Sequence, residues 1–106
     1  MTFHPTNNPV FWKTTADNLL ADERYEKAAE AYLRLTELLP NDAEAWKGRG
    51  TALIGLEKYG DAVSALERAL ILLPDDKPTL ELLAECFDKL GAVEKKTACI
   101  LRINDL

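Results

Sequence analysis

The stretch Leu38-Leu39-Pro40-Asn41-Asp42 returns as Leu72-Leu73-Pro74-Asp75-Asp76, thirty-four residues further along the chain. Working outward, the same step carries Trp12 onto Trp46, Ala16 onto Gly50, Tyr25 onto Tyr59 and Ala28 onto Ala62. A second step sets Leu80 under the two tryptophans, Ala84 under Ala16 and Gly50, and Leu90 under Leu56. A period of this length and strictness identifies a stacked helical array whose units are each too small to bury their own apolar face.

Capping residues and prolines divide each unit into two helices. Asn8, Asp42 and Asp76 each offer a side-chain oxygen to a free amide at a helix start, and Pro9 and Pro78 are tolerated in a first turn. Pro40 and Pro74 stop the preceding helices, because proline lacks a donor and disfavours helix in the residue before it. First helices are predicted at 9–22, 43–56 and 77–90, and second helices at 25–38, 59–73 and 93–105. The short turns Asp22-Glu23-Arg24, Glu57-Lys58 and Gly91-Ala92 force antiparallel hairpins. The organisation expected is a lead at 1–8 and units at 9–42, 43–76 and 77–106. Small Ala16, Gly50 and Ala84 let the two helices of a unit approach. Trp12, Trp46, Leu19, Leu53, Phe87, Tyr32 and Leu66 are expected to form the interior.

The chain has 106 residues, enough for one modest core. Its net charge of −5 argues against nucleic-acid binding, which needs a basic face. The charge is uneven: −3 over 9–42, −2 over 43–76 and 0 over 77–106. No apolar run approaches membrane-spanning length, and Met1–Asn8 is not a signal peptide, so a cytoplasmic protein is expected. Cys86 and Cys99 lack metal spacing and are expected to be buried thiols.

Catalysis is not expected. The only histidine, His4, lies in the lead, so no Ser-His-Asp or Cys-His pair or histidine metal site forms in the helical body. Gly48-Arg49-Gly50 falls within a helix and lacks the lysine of a phosphate loop. No cofactor is implied.

These residues resemble the tetratricopeptide repeat. Trp46, Gly50, Tyr59, Ala62, Ala69 and Pro74 match the family pattern in the middle unit, and Trp12, Ala16, Tyr25, Ala28, Tyr32 and Pro40 in the first. The third keeps Leu80, Leu83, Ala84 and Phe87 but has Lys96 and Val93 where alanine and tyrosine are expected. The resemblance implies an all-α, right-handed solenoid of three antiparallel units and an adaptor that holds a peptide or helix of another protein in a concave groove.

Carried onto this chain, the family geometry puts Val10, Lys13, Thr14, Asp17 and Leu20 on the groove wall. It adds Glu44, Lys47, Gly48, Thr51, Ile54 and Gly55 from the second unit, and Glu81, Leu82, Glu85, Asp88 and Lys89 from the third. Lys13 and Lys47 are expected to form a basic ladder, with Glu81, Glu85 and Asp88 making the other end acidic. Reversing both lysines is expected to weaken partner capture without changing the melting temperature. Gly48, Thr51 and Gly55 share one helix face, which suggests a strip of exposed backbone for a close-lying ligand. The family's carboxylate clamp for chaperone C-termini is matched at Lys13 alone. Asp17 and Gly48 replace its asparagines, and Pro78 and Leu82 its later basic residues.

Arrays of this family usually close with an extra helix, and none follows before Leu106. Ile100, Leu101, Ile103 and Leu106 cannot all face inward on one helix. They are expected either to mediate a homodimer or to await a further helix of a longer protein. An accessory role within a larger complex is the remaining alternative.

Overall fold

The computed structural model describes residues 8–106. The lead, including Phe3 and His4, falls outside that range apart from Asn8. Six helices follow in order: α1 (Pro9–Ala21), α2 (Tyr25–Leu38), α3 (Ala43–Gly55), α4 (Tyr59–Leu72), α5 (Lys77–Leu90) and α6 (Val93–Asn104). Four of them stop one residue before their predicted ends, where the last turn gives way to the connecting loop.

All three expected caps form. Asn8 accepts from the Val10 amide at 3.0 Å, Asp42 from Glu44 at 3.1 Å and Asp76 from Thr79 at 3.2 Å. The second helices have no side-chain cap, because another device starts them. The Arg24 amide donates to the Leu19 carbonyl, Lys58 to Leu53 and Ala92 to Phe87, at 2.8–2.9 Å. This six-residue closure ends each first helix through a left-handed residue. That residue is Glu23 (φ 60°), Glu57 (φ 60°) and Gly91 (φ 72°), three positions one period apart.

Only the third turn has the residue that adopts this conformation without strain. Glu57→Gly is therefore expected to stabilise the protein by about 0.5–1 kcal/mol and to raise the melting temperature by a few degrees. Gly91→Ala should do the reverse, and thermal circular dichroism of both variants checks the pair.

Successive helices pack antiparallel, and α1 also contacts α3, as α3 contacts α5. Successive second helices lack comparable contact. The first helices therefore lie on the inner side of the curve and form its concave wall. The molecule measures 54 × 24 × 18 Å. A helix of this length spans about 20 Å, so the long dimension is the stacking direction.

The core is continuous across hairpin boundaries. Ala45 and Ala52 of α3 are buried with Ala16, Ala28, Ala31, Tyr32 and Leu35 of the first hairpin. Leu53, Ala62, Ala65 and Leu66 are buried with Leu83, Cys86, Phe87 and Cys99 of the third. Gly50 is small for the expected reason: a Cβ there would stand 2.6 Å from Leu66 Cγ. Trp46 ties the inter-hairpin loop by donating from Nε1 to the Pro40 carbonyl at 2.9 Å, and the Arg68 guanidinium lies 5.4 Å from its ring centroid. Trp12 Nε1 is buried without a partner among the described residues. The residue one period before Pro40 is Thr6, outside them.

A candidate binding groove on the concave wall

Helices α1, α3 and α5 enclose a shallow cavity of about 260 Å³. Its lining includes Lys13, Asp17, Leu20, Glu44, Lys47, Gly48, Thr51 and Leu82, all expected on the groove wall. Pro78 and Tyr32 complete it. Thr14, Ile54, Gly55, Glu81, Glu85 and Asp88 do not line it. Ile54 packs against the core instead. Asp88 accepts from Lys96 of α6 at 2.9 Å, and that contact lowers its pKa.

The two lysines do not form a basic ladder. Lys13 Nζ lies 3.3 Å from Asp17 Oδ2, one turn along its own helix. Lys47 Nζ sits between Glu44 Oε1 and Asp76 Oδ2, each at 3.2 Å, with about a fifth of its side chain exposed. Burial opposes its charge, but hydrogen bonds to the two carboxylates outweigh that and raise its pKa. Asp76 is held below the usual carboxylate range first by the Thr79 hydroxyl, then by Lys47 against the opposing effect of burial. Lys47 is thus a strut between the second and third hairpins, and the supposed basic end is locally neutralised.

Tyr32 is the residue that sequence reasoning assigned to the core alone. Its ring is buried, but its hydroxyl reaches the groove and donates to Asp17 Oδ1 at 2.6 Å. Burial, then the Asp17 hydrogen bond and charge, push the phenol pKa up, so it remains a neutral donor. The periodic comparison held the clue: Leu66 and Ile100 occupy the equivalent positions, and only the first unit has a hydroxyl there.

The glycine strip also has another cause. A Cβ on Gly48 would overlap the Tyr32 ring, and one on Gly55 the Tyr25 ring. The absent side chains admit tyrosines from the preceding hairpin, so packing between hairpins accounts for both glycines without a ligand.

The tetratricopeptide repeat profile matches residues 14–77 and again 48–95, together more than half of the sequence. The chain belongs to the tetratricopeptide repeat family. Solved structures with the same fold include MamA MSR-1, at 18% identity and TM-score 0.88, over 93% of this chain and 57% of that one. MamA AMB-1 matches at 19% and 0.89, over 93% and 54%. The MamA RS-1 ArsTM double mutant matches at 18% and 0.90, over 93% and 56%. The chain thus spans little more than half the length of these structures. Sequence comparison with curated proteins finds no match.

As an all-α tetratricopeptide repeat solenoid, the protein has the scaffold of a family of protein-interaction modules. No described helix is long and apolar enough to cross a membrane. No group of three His, Cys, Asp or Glu side chains among the described residues is arranged to hold a metal. Burial, followed by the charge of Glu85, pushes the Cys86 thiol up to about 11. Cys99 is also raised by burial, so neither buried thiol is an activated nucleophile at neutral pH.

Proposed function

We propose that the protein is an interaction adaptor that holds an extended or helical segment of another protein against the concave wall. One observation carries this reading: four separate helices bring Lys13, Asp17, Tyr32, Lys47, Thr51 and Leu82 to a single cavity. The mixed lining gives apolar contact at Leu82 and Leu20 and polar anchors at Asp17 and Tyr32. The wall is braced by ion pairs before any ligand arrives, which reduces the ordering cost of binding.

Lys47→Glu is an unsuitable probe. It sets a carboxylate beside Glu44 and Asp76 and should lower the melting temperature, contrary to the expectation from sequence. Thr51→Arg is the better variant, because arginine is helix-compatible and its side chain would fill the cavity. Affinity capture from the source lysate should retrieve a protein with the parent chain and at least ten-fold less with Thr51→Arg. Equal capture by two equally folded proteins would remove the groove from consideration.

A second reading, self-association, rests on the exposed apolar residues Ile100 and Leu101 of α6 and Leu106 just after it, with Ile103 half-buried beside them.

A further inference from the structure

The two ends of the solenoid carry the two halves of an interface that the molecule already forms twice inside itself. On the first helices, the face toward the preceding hairpin holds Ala45 and Ala52 in α3, and Thr79 and Cys86 in α5, all buried. One period earlier stand Phe11, 39% exposed, and Asn18, also exposed. On the second helices, the face toward the next hairpin holds Tyr32 at 3% and Leu66 at 0%, whereas Ile100 one period later is 40% exposed. Val93, the counterpart of Tyr25 and Tyr59, is 71% exposed.

We propose that α6 of one copy receives α1 of a second copy, in the register in which α2 receives α3 and α4 receives α5. The internal contacts set that register. Tyr32 covers Gly48 and Tyr25 covers Gly55. Continuing the period across the junction places Ile100 on Thr14 and Val93 on Ala21 of the second copy. Each pair exchanges a large-on-absent contact for a medium-on-small one, so the summed volume is nearly kept, which is the change packed interfaces tolerate best. Phe11 then occupies the position that Ala45 and Thr79 fill internally. The occupant is a second copy of this chain because its α1 carries the period-matched face. Leu101 and Leu106 are not needed for the joint.

Such a contact is heterologous: different surfaces meet, and one free face of each kind remains. The product is an open head-to-tail row, distinct from a closed dimer through two α6 helices. The inference stands apart from the groove reading and survives its failure.

Sedimentation velocity from micromolar to near-millimolar concentration should show an average mass that climbs past the dimer without a plateau. Thr14→Arg blocks one face and Ile100→Glu the other, and each should be monomeric alone. Mixed in equal amounts, they should give a dimer and nothing larger, since each supplies one intact face. Val93→Glu, at a more exposed site on the same face, replaces Ile100→Glu if circular dichroism shows a folding defect. A monomer at every concentration overturns the proposal. So does a dimer that Ile100→Glu abolishes and Thr14→Arg leaves intact, because that pattern belongs to paired α6 helices.

Discussion

Leu66→Ala is expected to cost about 3 kcal/mol and to lower the melting temperature by roughly 12–20 °C. Leu66 is completely buried and belongs to a cluster shared by the second and third hairpins. Removing its branch leaves a void opposite Gly50, which has no side chain to relax into it. The loss therefore combines lost transfer energy with a cavity term. Because Leu83, Cys86 and Phe87 share the cluster, the damage should spread across the hairpin boundary. Urea unfolding checks the size of the effect, and amide exchange should show faster opening of α5 and α6 as well as α4. A loss below about 1 kcal/mol would mean that this cluster is not the joint between the hairpins.

Asp76→Ala should be nearly as damaging, at about 2–4 kcal/mol, because one carboxylate does three jobs. It caps α5, accepts the hydroxyl of buried Thr79 and partners Lys47. Alanine removes the cap, about 1 kcal/mol, and leaves a buried hydroxyl unpaired, about 1–2 kcal/mol more. Asp76→Asn keeps a good capping oxygen and loses only the charge, so it should cost about 1 kcal/mol.

The same carboxylate gives a signed pH dependence. Its folded pKa is lowered, so its contribution is present above the ordinary carboxylate value and is lost as pH falls through the folded pKa. Stability of the parent chain should therefore drop between about pH 5 and pH 2, and Asp76→Asn should remove part of that slope. Lys47, whose folded pKa is raised, contributes below the ordinary lysine value and loses its effect only as pH rises past it. Parallel slopes for the parent and the asparagine variant would show that Asp76 is not coupled to folding.

The wall was legible where a residue's role follows from its place in the repeat. Lys13, Asp17, Lys47 and Thr51 recur at groove positions of the first helices, and all four line the cavity. What these groups bond to was not legible. Lys47 looks like a repeat of Lys13, yet it is held by Asp76, twenty-nine residues away. The period compares equivalent positions and cannot show which unlike residues meet across a boundary. Gly48 illustrates the same gap: its own helix offers no reason for it, and the reason is the Tyr32 ring arriving from the previous hairpin.

From the chain of letters alone came the six helices, the caps of α1, α3 and α5, the antiparallel hairpins and the family, because each rests on local chemistry repeated at a constant interval. Asn, Asp and Pro act within one turn of themselves, and a thirty-four-residue period needs no coordinates to be seen. Three-dimensional packing alone decided which wall charges are already satisfied and why α3 tolerates its glycines. Those outcomes depend on distances between residues far apart in sequence, and hydrogen bonds and ion pairs weaken too steeply with distance for spacing to stand in for contact.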